Sequence, residues 1–336
     1  MYKFIRRLLF LFPAEFSHHL GLKGLQVIYK LGLSSLLAAK SQDAPLQLLG
    51  LNFKNPVGLA AGLDKNADYL DALGSLGFGF IEVGTVTPKP QAGNPKPRLF
   101  RLAADHALIN RMGFNNKGVE HLVSRLKKRR YQGIVGVNIG KNLSTPVSDA
   151  HKDYLLCLQR VYPYADYIVV NLSSPNTPGL RKLQFGEELD KLLSMLRQEQ
   201  LDLQEKHQRH VPLLLKIAPD LKEQECQDIA LALLTHNFDG VIATNTTIAR
   251  DGLQDKAHVG QSGGLSGAPL LAQSSKIVHL LQRYLQGAIP IIAVGGIDSA
   301  ETAKQKFRAG AKLVQVYTGF IYEGPALIEN ILAAQE

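Results

Sequence analysis

Eight short apolar runs separated by segments of helical length dominate the sequence from about residue 56 onward. They cover residues 57–61, 80–86, 134–139, 167–172, 212–218, 240–244, 289–294 and 313–317. Their Val and Ile content and near-continuous apolar character are typical of parallel strands buried on both faces. Eight βα units in about 280 residues predict an α/β fold, a TIM (β/α)8 barrel. The alternative, a doubly wound sheet, usually has fewer strands and a glycine-rich first turn.

The length of the chain fits a barrel with an appendage. At 336 residues it exceeds the usual size of one domain, so it holds either two ordinary domains or a large barrel with an extension. Hydrophobic residues make up 45% and charged residues 20%, without a low-complexity tract, which excludes a disordered or fibrous chain. We predict a small N-terminal amphipathic helical extension over residues 1–40 and a barrel over residues 41–336.

Amides, hydroxyls, lysines and glycines stand where the apolar runs end. In chain order they are Gly62 with Lys65, Thr85, Asn138, Asn171 with Ser174, Lys216, Thr244 with Asn245 and Thr246, Gly295 with Gly296, and Thr318 with Gly319. The carboxyl ends of the strands form the face on which barrel enzymes place their active sites. Ordinary loops would carry mixed polar residues without this repetition. The pattern therefore predicts a functional site at this face.

The side chains at this face indicate what it binds. Asparagine recurs at Asn138, Asn171, Asn176 and Asn245, and Asn110 lies in the long loop after the second strand. Each amide offers a donor and an acceptor, the complement of a pyrimidine or of the edge of a flavin. Lys65 and Lys216 add positive charge for a carboxylate, a phosphate or a reduced flavin.

Glycines near the last two strands favour a phosphate site. Gly295 and Gly296 precede Asp298, a predicted helix N-cap, and residues 317–319 follow the eighth run. Barrels commonly bind phosphate through backbone N–H groups at this position. Residues 264–267 are predicted to add a third loop that approaches the ligand closely.

Several other site types find no support. Cys157 and Cys226 are too far apart for a CxxC pair, which indicates a reducing compartment. GVNIGK at 136–141 lacks the spacing of a P-loop, and Asn142 stands where Ser or Thr is required. The ten histidines form no HExxH pattern, so no metal is expected. The basic run 127–130 complements a helix end and has no interleaved aromatic residues, so no nucleic acid is expected.

The first 40 residues carry more than half of the net charge. The whole chain has +9, and this segment has Lys3, Arg6, Arg7, Lys23, Lys30 and Lys40 against Glu15. Its apolar run stops at Pro13, without a signal-peptide cleavage site, and no stretch of the chain is long enough to span a bilayer.

Two helices are predicted within this segment, over residues 3–12 and 14–31. The first has an apolar stripe of Phe4, Ile5, Leu8, Leu9 and Phe12, opposite Lys3, Arg6 and Arg7. The second has a stripe of Phe16, Leu20, Val27, Ile28 and Leu31, with Lys23, Gln26 and Lys30 facing away. Such a pair fits an anionic membrane surface, and the alternative is that both helices pack on the main domain.

Ten motifs follow one another along the chain: AAGLDKNA (60–67), EVGTVTPKPQAGNPKPRLFRL (82–102), INRMGFNN (109–116), VNIGKN (137–142), VNLSSPNTPGLR (170–181), LLLKIAPD (213–220), ATNTT (243–247), GGLSG (263–267), VGGI (294–297) and VQVYTGFIYEGP (314–325). In this order they resemble the dihydroorotate dehydrogenases of the membrane-associated, quinone-dependent class (class 2). The resemblance covers the whole length, including the N-terminal helices. It implies an FMN-containing barrel that oxidises (S)-dihydroorotate to orotate in de novo pyrimidine biosynthesis and reduces a quinone.

The resemblance also implies site residues. FMN would be bound by Ala61, Gly62, Lys65, Thr85, Asn138, Asn171, Lys216, Thr244, Gly267, Gly296, Tyr317 and Thr318. The substrate would contact Lys65, Asn110, Arg111, Met112, Gly113, Phe114, Asn171, Asn176, Asn245 and Thr246. Lys216 would lie near flavin N1 and favour the reduced flavin. Two departures from the family pattern, Ala268 and Thr318, are conservative because the backbone makes the contact there.

Ser174 occupies the position of the catalytic base in this family, where it takes the proton from C5 of the substrate. No His or carboxylate stands beside it in the sequence, and Thr177 with a water is a hypothetical proton relay. Without the resemblance, a turn-capping serine would be the natural interpretation. The soluble relatives carry Cys at this position and lack the N-terminal helices, so both features imply the quinone class.

The resemblance implies a peripheral protein at the cytoplasmic face of the cell membrane. The apolar faces of the two helices would form a slot for a quinone tail, with Phe16, His18, His19 and Leu20 as candidate lining residues. Two alternatives stay open: a soluble FMN barrel that acts on dihydropyrimidines or dihydrouridine, and a non-catalytic adaptor at a membrane surface.

Overall fold

The computed structural model describes residues 2–39 and 44–334, so the predicted boundary between residues 40 and 41 lies outside the described residues. The strands in this part are β1 (Leu46–Leu48), β2 (Leu51–Phe53), β3 (Val57–Leu59), β4 (Phe80–Val86), β5 (Leu99–Leu102), β6 (Ala107–Asn110), β7 (Ile134–Ile139), β8 (Tyr167–Asn171), β9 (Leu213–Ile217), β10 (Gly240–Ala243), β11 (Gly264–Gly267), β12 (Ile291–Val294) and β13 (Leu313–Val316).

The α-helices of the same residues are α1 (Tyr2–Leu9), α2 (Ala14–Lys30), α3 (Leu70–Gly74), α4 (Val119–Leu126), α5 (Ala150–Val161), α6 (Gly186–His207), α7 (Glu223–Thr235), α8 (Leu271–Leu285), α9 (Ala300–Arg308), α10 (Thr318–Glu323) and α11 (Ala326–Ala333). Short 3-10 turns occupy Ser34–Leu36, Ala103–Asp105, Val147–Asp149, Leu180–Gln184 and Ala268–Leu270.

Eight parallel strands close a barrel in the order β3, β4, β7, β8, β9, β10, β12 and β13. Each predicted apolar run contains one of these strands, and every position in them is buried. Most positions in these strands are apolar because helices cover their outer faces and side chains fill the interior. The TIM barrel is confirmed, and a closed barrel excludes the doubly wound sheet.

Aromatic side chains fill the lower part of the barrel. A Cβ on Gly136 would lie 2.1 Å from the ring of Tyr167, and one on Gly58 would lie 2.3 Å from the ring of Phe80. These two glycines therefore leave room for large neighbours inside the barrel. The hairpin of β1 and β2 contributes Phe53, whose ring lies 5.2 Å from that of Phe80. The apolar pattern of the sequence did not predict this hairpin.

A three-stranded antiparallel sheet of β5, β6 and β11 lies outside the barrel. The register pairs Gly264 with Asn110 and Gly267 with Ala107. The prediction of a loop at residues 264–267 was therefore wrong, since this segment is strand β11. Asn110 likewise ends a strand and does not lie in an irregular loop. Both strands are four residues long, too short for a strong period-2 signal.

The two N-terminal helices form, with different boundaries and partly different faces from those predicted. The first helix ends at Leu9, so Phe12 lies beyond it. Arg6 does not face away from the domain, because its Nη1 donates to the carbonyl of Tyr322 at 2.5 Å. In α2, Gln26 donates to the carbonyl of Asp68 at 3.2 Å, whereas Phe16 and Val27 of the predicted stripe are about half exposed. The predicted stripes are therefore only partly right, because Ile5, Leu9, Leu20 and Ile28 line the cavity between these helices and the barrel, whereas Phe16 and Val27 do not.

Candidate active site

A cleft of about 1040 Å³ opens at the carboxyl ends of the barrel strands, and we call it the active-site cleft. Parallel strands all end at this edge, so residues far apart in sequence meet there. Of the residues predicted to hold a cofactor, the following line it: Ala61, Gly62, Lys65, Thr85, Asn171, Lys216, Thr244, Gly267, Gly296, Tyr317 and Thr318. Asn138 lies behind this wall and is fully buried.

The predicted substrate residues line the same cleft, again with one exception, and Lys65 and Asn171 belong to both predicted sets. Those in the lining are Lys65, Asn110, Met112, Gly113, Phe114, Asn171, Asn176, Asn245 and Thr246, together with Ser174. Arg111 is not in the lining, since its Nη1 donates to Oε1 of Gln261 at 2.8 Å. Asn110 lies at the end of β6 in the antiparallel sheet. The side-chain amide of Asn176 donates to the backbone carbonyl oxygen of Asn110 at 3.2 Å.

Amide side chains along one wall of the cleft orient one another. The Nδ2 of Asn171 donates to Oγ1 of Thr85 at 3.0 Å and to Oδ1 of Asn138 at 3.1 Å. Its Oδ1 accepts from Oγ of Ser173 at 3.0 Å and from Nδ2 of Asn245 at 3.3 Å. Because each amide has its donor and acceptor ends set by neighbours, the wall presents a defined pattern to a ligand. Asn138 does not line the cleft, but it orients the side-chain amide of Asn171, which does.

Lys65 lies in a loop that a buried carboxylate organises. Asp64 accepts backbone N–H groups from Asn66, Asp68 and Tyr69 at 3.3, 3.0 and 2.7 Å, while burial raises the pKa of Asp64 to about 6. The Nζ of Lys65 donates to the carbonyl of Gly62 at 2.9 Å. Burial, and next the charge of Arg98, lower the pKa of Lys65 to about 8. Lys65 therefore presents a cation to the cleft at neutral pH.

The glycine-rich end of the cleft exposes backbone donors. Within residues 2–39 and 44–334, the N–H groups of Gly295, Gly296, Thr318 and Gly319 have no acceptor in the protein. At Gly296 φ is +78°, and a Cβ would lie 2.3 Å from Cα of Leu271, so only glycine fits there. Converging free N–H groups in a cleft suit an anion such as phosphate.

Ser174 lies at the centre of the cleft wall. Its side chain is buried, and its Oγ accepts the backbone N–H of Asn176 at 3.2 Å. Arg181 anchors this loop by donating to the carbonyls of Ser173 at 3.0 Å and of Thr246 at 2.9 Å. The anchoring residue was not predicted from the sequence, although an arginine at the end of the VNLSSPNTPGLR motif was a signal for it.

Sequence reasoning also missed two polar side chains, Gln315 in the cleft wall and Glu82 beneath it. Both are fully buried, and Nε2 of Gln315 donates to Oε2 of Glu82 at 2.6 Å. Glu82 also lies 3.4 Å from Nζ of Lys216. The signal was present, because a glutamate and a glutamine interrupt strands that are otherwise apolar.

A second cavity, the apolar slot, separates the N-terminal helices from the barrel and measures about 1410 Å³. Its wall includes Ile5, Leu9, Leu25, Ile28 and Phe320, with the polar groups of His18 and Arg101. Of the four predicted lining residues His18 and Leu20 lie in the wall, whereas Phe16 and His19 do not.

The apolar slot and the active-site cleft share one wall residue, Tyr317. The two cavities therefore adjoin at this side chain. In the apolar slot, burial, and next the charge of Lys65, lower the pKa of His18 to about 3, so its ring is neutral at physiological pH.

In the described part of the chain, no helix is long and apolar enough to cross a membrane. The same residues contain no group of three or more His, Cys, Asp or Glu side chains that could hold a metal ion.

Comparisons with known proteins agree with one another. The family model described as Dihydroorotate dehydrogenase matches residues 44–335. The chain is 57% identical over 328 residues to a dihydroorotate dehydrogenase (quinone) of Cellvibrio japonicus, covering 98% of this chain and 96% of the relative. It is 54% identical over 334 residues to that of Marinobacter nauticus, with coverages of 99% and 98%. A crystal structure of DHODH from Eimeria tenella in complex with ferulenol superimposes with a TM-score of 0.87 at 40% identity, covering 94% of this chain and 90% of that one.

Proposed function

The chain belongs to the dihydroorotate dehydrogenase family, and we propose that it oxidises (S)-dihydroorotate to orotate and transfers the electrons to a quinone. This reaction serves de novo pyrimidine biosynthesis. Enzymes of the family depend on a flavin. The observation that carries the proposal is the active-site cleft itself, which combines pyrimidine-complementary amides, a cationic lysine and free backbone N–H groups.

The residues present fit FMN as the flavin. The free N–H groups near Gly296 and Thr318 suit its phosphate, and the absence of a Cβ at Gly296 leaves the loop in the conformation that exposes them. Lys216 and the amide wall of Asn171 suit the polar edge of the ring system. When bound, FMN would accept hydride from C6 of the substrate and pass the electrons on to the quinone.

The substrate would bind between the amide wall and Lys65. Asn110, Asn176 and Asn245 offer donors and acceptors to the alternating N–H and C=O groups of the pyrimidine ring, and Lys65 offers a cation to the carboxylate. Ser174 would take the proton from C5. Its Oγ is held by the N–H of Asn176 and faces the cleft, and Thr177, also buried, would relay the proton through a water.

The apolar slot is the proposed path of the quinone. It is lined mostly by apolar side chains, and Tyr317 lines both the slot and the active-site cleft. We propose that residues 1–40 attach the protein to the cytoplasmic face of the cell membrane and open the slot toward the lipid.

The surface of the N-terminal segment supports this attachment. Most of the exposed large apolar side chains in the described residues lie between positions 4 and 36, among them Phe4, Leu11 and Leu31. They stand beside Lys3 and Lys23, an arrangement that suits anionic lipid.

The decisive experiment uses the purified full-length protein. It should be yellow, lose its flavin absorbance when dihydroorotate is added without oxygen, and regain it when a quinone follows. Ser174→Ala should bind FMN normally and be reduced at least about 100-fold more slowly, the usual loss of a general base. A colourless protein that takes up no FMN would refute the proposal, and an unchanged reduction rate in Ser174→Ala would refute the role of this serine.

A further inference from the structure

A buried carboxylate lies beneath the active-site cleft and has no place in the chemistry described so far. Glu82 projects from β4 into the barrel and is 1% exposed. Its neighbours come from four other strands: Asn138 on β7, Tyr167 on β8, Lys216 on β9 and Gln315 on β13. A charged group at such a position requires partners that compensate its burial.

Every group that contacts this carboxylate is a donor. Oε1 accepts from Nδ2 of Asn138 at 2.8 Å and lies 3.4 Å from Nζ of Lys216. Oε2 accepts from Nε2 of Gln315 at 2.6 Å and lies 3.4 Å from the hydroxyl of Tyr167. An ionised carboxylate has acceptors only, which matches this surrounding. The network therefore holds Glu82 as an anion.

Lys216 connects this anion to the cleft. Lys216 and Gln315 line the active-site cleft, whereas Glu82 lies one layer below them. The Lys216 side chain is 6% exposed, so solvent screens the pair with Glu82 only weakly. The ammonium thus faces a ligand on one side and a carboxylate on the other. Its effect on that ligand depends on both charges.

We propose that Glu82 is a positioning residue that orients the Lys216 ammonium and sets the reduction potential of the bound flavin by offsetting its charge. This inference rests on the proposed function. A cation beside a flavin favours the reduced form, and a carboxylate behind that cation opposes this effect. With both charges in place, reduction by dihydroorotate and reoxidation by a quinone are balanced against each other.

The test is the midpoint potential of the flavin in the full-length holoenzyme, measured by equilibration with a reference dye. Glu82→Gln keeps the size of the side chain and removes its charge. We expect the potential to rise by about 30 mV or more, equal to a tenfold shift of the two-electron equilibrium. In stopped-flow measurements, reduction by dihydroorotate should become faster and reoxidation by a quinone slower. A purely structural role would slow both half-reactions.

Two further variants isolate the charge. Tyr167→Phe removes a hydroxyl from the same network without changing any charge, and it should keep the wild-type potential. Glu82→Gln combined with Lys216→Gln removes both charges, and its potential should lie above that of Lys216→Gln alone. The comparison of the double variant with Lys216→Gln still tests the inference if Glu82→Gln by itself does not fold, because the double variant contains no buried lysine without a counter-charge.

Specific results would overturn the inference. They are a wild-type potential in Glu82→Gln, equal slowing of both half-reactions, or equal potentials in Lys216→Gln and the double variant. Wild-type protein without bound flavin would instead refute the proposed function, so the two failures are distinguishable.

Discussion

An ion pair between Glu15 of α2 and Arg98 helps to hold this helix on the domain, and breaking it should separate the two half-reactions. Nη2 of Arg98 donates to Oε1 of Glu15 at 2.8 Å, and its Nε lies 3.2 and 3.3 Å from the two carboxylate oxygens. Arg98 is 7% exposed, and its Nη1 also donates to the carbonyls of Ala92 and Asn94 at 2.7 and 2.9 Å. It is therefore preorganised to receive Glu15.

The expected magnitude follows from this geometry. A hydrogen bond between charged groups contributes about 1.5–3 kcal/mol, and the contacts to Ala92 and Asn94 survive in Glu15→Ala and limit the penalty for the remaining guanidinium. We take the loss as about 2 kcal/mol, which corresponds to an increase of about 30-fold in the population with α2 detached. Because α2 forms one wall of the apolar slot, quinone reduction should suffer.

Hydrogen exchange measures this directly. In Glu15→Ala the amides of α2 should exchange about 30-fold faster, with barrel amides unchanged, while KM for the quinone rises and flavin reduction by dihydroorotate keeps its rate. Lys96→Ala is the matched control, since its Nζ lies 3.6 Å from Glu15 and its side chain is 66% exposed. It should change exchange by less than about threefold. Unchanged exchange in α2, or equal acceleration in the barrel, would contradict this account.

Three further outcomes are expected. Deleting residues 1–40 should abolish membrane association and quinone reduction but leave flavin reduction by dihydroorotate; full quinone activity would refute the role of this segment. Gly296→Ala should weaken FMN binding by about tenfold or more, because φ at this position is +78° and the new Cβ would lie 2.3 Å from Cα of Leu271. Gly287→Ala is the control: its φ is +81°, but no atom lies within 4 Å of the new Cβ, so this variant should bind FMN normally. Burial lowers the pKa of Lys306 from 10.5 to about 7, so the unfolded chain binds more protons between these values and the free energy of unfolding should rise with pH across that window. Denaturant titrations at pH 7 and 9 should show a smaller rise in the free energy of unfolding for Lys306→Met than for the wild type. An equal rise in both proteins would disprove the role of Lys306.

The barrel and the face that carries the site were predictable because they depend on local patterns. Apolar runs such as residues 80–86 and 134–139 coincide with β4 and β7, since strands buried on both faces are apolar at most positions. Once parallel strands are established, their carboxyl ends meet at one edge, so Lys216 and Asn171 were expected to lie together before any contact was known.

Side-chain direction was less accessible to sequence reasoning. Arg111 lies within the predicted substrate segment but turns toward Gln261, and Asn138 stands behind the amide wall. In α1 and α2 the hydrophobic periodicity identified the helices and part of the face toward the barrel, since Ile5, Leu9 and Ile28 line the apolar slot, but it did not predict that Phe16 and Val27 are exposed. Both sides of these helices carry apolar residues, so amphipathicity alone does not select one.

The sequence by itself therefore determined the barrel strands, the barrel that they form and most of the side chains at its upper face. Only the tertiary structure decided which buried charges compensate one another. Glu82 and Lys216 are 134 positions apart and meet because the sheet closes on itself. Glu15 and Arg98 meet because α2 docks on the barrel. Hydrophobic periodicity is a local property of the sequence, whereas electrostatic pairing depends on distances that exist only after the barrel has closed and the helices have docked.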